Sequence, residues 1–188
     1  MSKKVMLRNV RLSYEHIFIP SKFDDNSEPK YSATFIIPKD HPDANAVKRA
    51  MLDAGKEAFP DAFGGNGWPK GYSYSLKDAD KDTDSMGVLL ADKNAAYKGA
   101  YILEANSTRR PIALNRNKAA VTEEDGIIYS GCYVNASLAA AGFTYGKVKK
   151  GVKCYLNGVQ FVKDGERFGS DASADFDDLD GGDDDFMG

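Results

Sequence analysis

Hydrophobic and polar residues alternate along the first part of the chain with the period of a β-strand. In residues 4–14, one face carries mostly apolar and aromatic side chains, interrupted by Arg8: Met6, Val10, Leu12 and Tyr14. The opposite face is polar: Asn9, Arg11 and Ser13. Residues 31–37 form a second β-rich segment that Pro38 ends. We therefore expect two paired strands, with residues 16–26 as part of their connection.

One helix is predicted after the second strand. Its apolar residues recur at steps of three and four, which places them on one stripe: Ala44, Val47, Met51, Ala54 and Ala58. Asp40 is placed to cap the helix, Pro42 suits its first turn, and Pro60 ends it. A glycine-rich loop, residues 63–72, follows the helix and lacks the Gly-Lys-Ser/Thr ending of a phosphate-binding loop.

The strand pattern returns after Gly99, continues through Ile112–Leu114, and is clearest in residues 127–138 and 151–157. The predicted inner faces of the last two segments are apolar: Ile128, Cys132, Val134, Ala136 and Leu138, then Val152, Cys154 and Leu156. If the segments pair as a hairpin, the outer face carries three tyrosines and a lysine: Tyr129, Tyr133, Tyr155 and Lys153. Residues 141–151 are interpreted as the connection, Gly158 as a bulge, and residues 163–169 as the segment that leaves the domain.

This order of elements predicts a mainly β protein with one main α-helix, and it fits a small closed barrel of the OB type with insertions. The chain has 188 residues, which is long enough for one domain. We expect one folded domain over residues 1–169 and a separate segment over residues 170–188.

The last eighteen residues differ in composition from the rest. Residues 171–188 contain eight aspartates and no lysine or arginine, with a few apolar side chains. So much like charge with so little apolar area predicts a disordered acidic tail. The whole chain has 25 basic and 28 acidic residues, so without the eight tail aspartates the remainder carries +5. A tail that competes with a polyanionic ligand, above all single-stranded nucleic acid, is one interpretation, and a merely solubilising tail is the other.

The sequence gives no sign of a membrane span, a metal site or a cofactor. No apolar run approaches the roughly 20 residues of a membrane helix, and the start of the chain lacks the apolar region of a signal peptide. Cys132 and Cys154 lie far apart with only His16 and His41 to accompany them, so reduced buried thiols are expected. We expect a cytosolic protein.

Aromatic side chains interleaved with cations are the residues that single-stranded nucleic acid requires, because bases stack on rings and phosphates bind cations. The candidates on the predicted hairpin are Tyr129, Tyr133, Lys149, Lys150, Lys153 and Tyr155. Trp68 and Tyr72 in the glycine-rich loop are further stacking candidates, and Arg109 and Arg110 in a turn are phosphate candidates. Tyrosine is also common in strands, lysine protects sheet edges, and the arginines could belong to a solvated turn.

Two other functions stay open from the residues alone. Asp78, Asp80, Asp82 and Asp84 could serve a metal-dependent nuclease or junction-processing enzyme, although a solvated hairpin end explains them more simply. They do not form a calcium loop, because the sixth and twelfth positions are Thr83 and Leu89. A strand-annealing or RNA-binding module on the same fold is the second alternative.

Several segments resemble a family of tailed-phage single-stranded DNA-binding proteins: 67–69, 110–111, 129–137, 156–160 and 163–165. The segment Tyr129-Ser-Gly-Cys-Tyr-Val-Asn-Ala-Ser137 is the most specific of them. The resemblance covers residues 1 to about 169. It implies an OB-fold core, sequence-independent binding of single-stranded DNA, no catalytic residues, and a place in phage replication or recombination in the host cytoplasm.

The end of the chain is similar in style to the acidic, phenylalanine-bearing tails of bacterial and phage single-strand binders. The residues that carry this similarity are Asp183, Asp184, Asp185 and Phe186. It implies that the tail recruits replication or recombination proteins. Because Met187 and Gly188 follow where bacterial tails end in Ile-Pro-Phe, phage-encoded partners are expected. A homo-oligomer is left open.

Overall fold

The computed structural model describes residues 2–65 and 67–169. Eight strands are present in this part of the chain: β1 Lys3–Ser21, β2 Lys30–Pro38, β3 Ser73–Tyr74, β4 Leu76–Asp78, β5 Ala100–Ser107, β6 Ile112–Leu114, β7 Tyr133–Tyr145 and β8 Lys149–Lys163. The α-helices are α1 Ala44–Ala58 and the short α2 Leu90–Lys93, and two 3₁₀ turns span Ala95–Tyr97 and Glu123–Asp125. No helix within these described residues is both long and apolar enough to cross a membrane.

Five of the strands close into a barrel. The antiparallel order is β8, β7, β1, β2, β5, and a parallel pairing between β5 and β8 joins the two ends. That pairing consists of Ala105 with Cys154 and Asn106 with Tyr155. The short strands β3 and β6 pair with β8, and β4 pairs with β5. The prediction of a mainly β fold with an OB-type closed barrel is confirmed.

The β7–β8 hairpin follows the predicted pairing, and its inward residues are buried: Val134, Ala136, Leu138, Val152, Cys154 and Leu156. The predicted connection over residues 141–151 is wrong, because strand pairing continues to Tyr145 opposite Lys149. The hairpin therefore extends farther than its apolar pattern does. Strand β7 begins only at Tyr133, so Tyr129 precedes the strand.

The predicted alternation of β1 is wrong, because the strand contains a bulge. Val5 and Leu7 are buried, and then Val10 and Leu12 are, so the inward face changes parity between Leu7 and Val10. Asn9 has a positive φ of 53°, and its N–H donates to the Asn135 side chain at 2.9 Å. Sequence alternation cannot show such a shift. The strand also runs on to Ser21, through residues that we had predicted as connection.

Helix α1 packs against the barrel with its predicted stripe buried from Ala44 to Ala54. It begins one residue after Asp43, so the predicted cap at Asp40 is wrong. The Asp43 carboxylate instead accepts a hydrogen bond from the Arg8 N–H at 2.9 Å, next to the β1 bulge. Ala58 is exposed to solvent on one side but lies against Gly142 of β7 on the other.

Residues 164–169, here called the C-terminal arm, fold back onto the barrel, which corrects the prediction that this segment simply leaves the domain. The Arg11 guanidinium donates to the carbonyls of Gly131 at 3.1 Å and Glu166 at 2.8 Å. It also lies 4.1 Å from the ring centroid of Phe168. Gly131 and Gly165 allow the two backbones to touch, because a Cβ on either would overlap the other segment.

We predict that Gly131→Ala lowers the free energy of unfolding by about 3 kcal/mol, because it adds both backbone strain and an overlap with Glu166. Gly131 has φ of 112°, in a region that disfavours side chains. Gly126→Ala is the matched control, because Gly126 has φ of 63° but open space around its Cβ position. The free energy of unfolding should fall by about 1 kcal/mol in Gly126→Ala. Urea unfolding measures both, and equal losses would contradict the close contact with the arm.

Candidate nucleic-acid interface

A groove of about 810 Å³ crosses the outer surface of the barrel. Its floor is formed by β2, β5 and β8, and its walls by the β7–β8 hairpin on one side and residues 73–90 on the other. The lining combines aromatic, cationic and small polar side chains: Lys30, Thr34, Ser73, Tyr74, Ser75, Lys77, Asn106, Phe143, Tyr145, Lys149, Lys153 and Tyr155. Two carboxylates, Asp84 and Glu104, also line it.

Lys153 is the cation around which the aromatic groups of this groove gather. It lies on β8 and points outward, because Val152 and Cys154 on either side point into the core. Its Nζ is 4.8 Å from the ring centroid of Tyr155 and 5.4 Å from that of Phe143. The groove therefore offers two rings and a positive charge within a few ångströms of each other.

Three lysines of the groove lining, Lys30, Lys149 and Lys153, lie close enough for the first two to act on the third. Partial burial lowers the pKa of Lys153, and the neighbouring ammonium groups of Lys30 and Lys149 lower it further. Within residues 2–65 and 67–169, none of the three forms a salt bridge with a carboxylate. The fold thus holds like charges together without neutralising them, and an anion in the groove would relieve that repulsion.

Trp68 and Tyr72 lie behind the groove wall, in an aromatic cluster that also contains Phe59, Phe63 and Tyr74. The Trp68 Nε1–H donates to the Tyr72 carbonyl at 2.8 Å, and its ring centroid is 4.9 Å from that of Phe63. Both residues are half-buried. The structure thus places them among packing residues rather than in the groove lining.

Tyr74 connects this cluster to the groove. Its ring centroid is 4.2 Å from that of Trp68, and Tyr74 itself lines the groove. Burial raises the pKa of Tyr74 to about 12, so its hydroxyl stays protonated at neutral pH. Tyr74 therefore connects the single tryptophan of the chain to the groove lining.

The remaining predicted cations do not line the groove but lie close in the chain to residues that do. Lys150 lies beside Lys149 on β8, with its Nζ 4.7 Å from the ring centroid of Tyr72. Arg109 and Arg110 are exposed in the turn that follows β5, whose residue Asn106 lines the groove. The turn is stabilised by the Arg109 N–H, which donates to Ser107 at 3.0 Å.

Of the three tyrosines predicted on one sheet face, Tyr133 lies on the outer face of β7 but far from Tyr155, and Tyr129 precedes the strand. Tyr155 lies opposite Ala139, six residues along β7 from Tyr133, which is about 20 Å. Tyr133 instead has the Lys163 Nζ 4.6 Å from its ring centroid. Tyr129 donates a hydrogen bond to the Asp164 carboxylate at 2.7 Å and lies under Arg167. These two tyrosines contact Lys163 and the C-terminal arm, whereas Tyr155 is in the groove.

The aromatic and cationic residues of the groove that sequence reasoning missed are Lys30, Tyr74, Lys77, Phe143 and Tyr145. Phe143 and Tyr145 were assigned to a connection, although the strand pairing continues through them. Lys30 opens β2 opposite Ser21, and only the extended β1–β2 pairing brings it to the groove. The one signal in the sequence for Phe143 and Tyr145 is that the alternating pattern continues past residue 141.

The aspartates of residues 78–84 have structural partners. The Lys39 ammonium lies 2.8 Å from Asp78 and 2.7 Å from Asp80. Hydrogen bonds from Lys39 and from the Gly99 N–H lower the pKa of Asp80. Asp84 accepts hydrogen bonds from the backbone N–H groups of Met86 and Val88. In the described part of the chain, no group of three or more such side chains is placed to hold a metal ion.

The predicted tail residues, Asp183, Asp184, Asp185 and Phe186, lie outside the described residues, as does all of 170–188.

Comparison with protein families gives a match over residues 3–187 to the family described as the single-stranded DNA-binding protein of Enterobacter phage Enc34. The chain belongs to this family. The activity that defines the Enc34 family is single-stranded DNA binding, which is not enzymatic. Among curated proteins, a protein named p50 from Acyrthosiphon pisum secondary endosymbiont phage 1 is 35% identical over 94% of each chain.

Solved structures agree with the Enc34 family assignment. The Enc34 single-stranded DNA-binding protein in complex with single-stranded DNA matches with a TM-score of 0.73 and 26% identity, over 88% of this chain and 89% of that one. A C-terminal truncation of the Enc34 protein matches with a TM-score of 0.69 and 26% identity, over 88% of each chain. The gp2.5 protein of bacteriophage T7 shares the fold, with a TM-score of 0.60 at 14% identity, over 94% of this chain and 98% of that one.

We predict that Lys153→Met raises the free energy of unfolding, because it removes a half-buried charge that Lys30 and Lys149 repel. The lowered pKa of Lys153 also means that the unfolded state binds more protons between that pKa and the ordinary value of 10.5. Stability should therefore rise with pH across this window in the original protein and rise less in the variant.

Urea unfolding at neutral and alkaline pH measures both effects. Lys147→Met, an exposed lysine in the turn of the same hairpin, is the control and should change stability by less than about 0.5 kcal/mol. A Lys153→Met variant that is less stable than the original would show that Lys153 stabilises the fold, contrary to this account.

Proposed function

We propose that this protein binds single-stranded DNA in the groove, without sequence specificity, during phage DNA replication or recombination in the host cytoplasm. The observation that carries the proposal is the convergence of Lys153, Tyr155 and Phe143, with Lys30 and Lys149 beside them. Rings accept any base on their faces, and ammonium groups bind the phosphates between them. Membership of the Enc34 family and the fold of its DNA complex support the same conclusion.

The residues of the groove divide into two roles. Tyr155, Phe143 and Tyr74 present rings on which bases stack, and Lys30, Lys149 and Lys153 neutralise phosphates. Arg109, Arg110 and Lys150 extend the phosphate path at the borders. Trp68 and Tyr72 support Tyr74 from behind. Tyr129 and Tyr133 are assigned to the surroundings of the C-terminal arm rather than to DNA.

The acidic tail competes with DNA for this groove and recruits partner proteins once DNA has displaced it. Phe168, at the end of the C-terminal arm, packs against an apolar cluster that includes Leu90, and Leu90 also lines the groove. The tail therefore begins on the same side of the barrel as the groove wall that contains Leu90. Eighteen residues can span at most about 60 Å, which is enough to follow the groove. Asp183, Asp184, Asp185 and Phe186 are the residues that phage-encoded partners recognise.

We predict that Tyr155→Ala weakens binding to oligo(dT) by about 1–3 kcal/mol at every salt concentration, because it removes a stacking surface. Lys153→Gln should instead reduce the slope of log K against log salt by about 0.7, the contribution of one phosphate contact on a single strand. Anisotropy of a labelled oligonucleotide across a salt series measures both.

Tyr155→Phe keeps the ring, and Lys56→Gln changes an exposed lysine of helix α1, so both controls should bind like the original protein. A salt slope that does not change in Lys153→Gln would remove Lys153 from the phosphate path. An equal loss in Tyr155→Phe and Tyr155→Ala would assign the effect to the hydroxyl group instead of stacking.

We predict that a chain ending at Ser170 binds oligo(dT) more tightly than the full chain, and that the difference shrinks as salt rises, because screening weakens the tail's attraction to the lysines. Every strand of the barrel lies within residues 3–163, so this chain retains the complete barrel. Fluorescence of Trp68 reports binding, since its ring contacts Tyr74. Equal affinities at all salt concentrations would exclude the tail as a competitor.

A further inference from the structure

A second, smaller recess lies on the outer surface of β6, β7 and β8, with a volume of about 230 Å³. It shares no lining residue with the groove, so it stays accessible when the groove is filled. Apolar and amide or hydroxyl side chains line it: Met6, Ile112, Leu114, Asn135, Ser137, Asn157, Gly158, Val159 and Gln160. None of these nine residues is charged.

Ile112 is the most unusual residue of this recess, because 63% of its surface is exposed although it belongs to a strand. Strand β6 lies directly on Gly158 of β8, where a Cβ would press against the Ile112 backbone. The absence of a side chain at Gly158 lets β6 lie this close, and Ile112, Leu114 and Val159 give the recess its apolar lining. An exposed apolar side chain at such a recess is suited to cover a ring or an alkyl chain of a ligand.

Cations lie next to this recess. Lys4 is two residues from Met6 and on the same outer face of β1, since Val5 between them is buried. The Arg116 carbonyl accepts a hydrogen bond from Gln160, which lines the recess, and its guanidinium donates to the Val162 carbonyl at 3.0 Å. Arg110 precedes Ile112 by two residues. An apolar depression with lysine and arginine beside it matches an acidic peptide that carries an aromatic or aliphatic side chain.

The chain itself contains such a peptide, because Asp183, Asp184 and Asp185 are followed by Phe186 and Met187. The C-terminal arm, which carries this segment, begins near the recess. Lys163 at the end of β8 pairs with Tyr133, two residues from Asn135 of the recess. Attachment to the same molecule raises the effective concentration of a peptide at a nearby site.

We propose that the recess at Ile112 binds the acidic, phenylalanine-bearing C-terminal segment of the same chain. This proposal rests on the proposed competition between that segment and DNA in the groove. The segment then has two binding sites, the groove and the recess, and DNA displaces it from the first to the second. Because the recess stabilises the displaced segment, it lowers the cost of opening the groove to DNA.

The direct test uses a fluorescent peptide of residues 171–188 and the chain ending at Ser170, saturated with oligo(dT). The peptide should bind, and Ile112→Glu should weaken its binding roughly tenfold or more, because the new carboxylate faces aspartates. Arg116→Gln should weaken peptide binding less than Ile112→Glu does. The Ile112→Val variant should bind the peptide like the chain with Ile112. Ile19→Glu is the matched control, because Ile19 is 60% exposed on a strand but lines neither surface.

The second test measures oligo(dT) affinity for four proteins, the full chain and the chain ending at Ser170, each with and without Ile112→Glu. The substitution should weaken DNA binding roughly threefold in the full chain, because the segment returns to the groove, and should have no effect in the shorter chain. An effect that appears only when residues 171–188 are present cannot come from misfolding or from direct contact with DNA.

The outcomes separate this proposal from the proposed function. If oligo(dT) expels the peptide completely, the segment binds the groove alone, and the recess proposal is overturned while competition stands. If truncation leaves DNA affinity unchanged, competition fails and the recess proposal fails with it, although DNA binding itself is unaffected. Concentration-dependent self-association that Ile112→Glu abolishes would overturn the assignment to the same chain in favour of a second copy.

Discussion

The candidate binding surface depends on the parallel contact between β5 and β8 that closes the barrel. This contact consists of two residue pairs, and each pair has its own role. Ala105 and Cys154 are fully buried and seal the core. Asn106 and Tyr155 are their neighbours in the pairing, and they point outward into the groove. Because side chains alternate along a strand, the pairing that closes the barrel also places Asn106 and Tyr155 side by side on the groove floor. A chain whose barrel did not close would lack this binding site.

Stability and binding make opposite demands on the side chains above that floor. An apolar residue in place of Lys153 would suit its half-buried position between Phe143 and Tyr155 better than a cation flanked by two others. The electrostatic repulsion between Lys153 and its two neighbouring lysines is tolerated because the core of the barrel beneath is well packed. Its inward residues Leu7, Leu12, Phe35 and Leu138 are completely buried, and the described residues include no buried side-chain polar atom without a hydrogen-bond partner. A rigid scaffold can hold repelling charges that a looser one would allow to separate.

The sequence was sufficient to predict the barrel, the helix and the inner face of the β7–β8 hairpin, because buried alternation leaves a direct pattern of apolar residues. It also identified Lys149, Lys153 and Tyr155. It failed where local backbone geometry changes parity, as at Asn9, whose positive φ lies in the bulge that changes the inward face between Leu7 and Val10. It failed again with Tyr133, because parity gives the face of a strand but not the position along it. The packing of Trp68 against Phe63 leaves no pattern in a glycine-rich loop, so the sequence did not indicate it.

The way in which the C-terminal arm is attached has a mechanical consequence. A protein that holds the end of this chain and moves along DNA would pull on residue 169 before the force reached any strand of the barrel. The arm resists through Arg11, through the Phe168 N–H that donates to the Ser130 carbonyl, and through the Gly131–Gly165 contact. These contacts can separate while the pairing of β8 with β7 and β5 remains intact. Force on the end of the chain would therefore detach the arm first and leave the DNA-binding barrel closed.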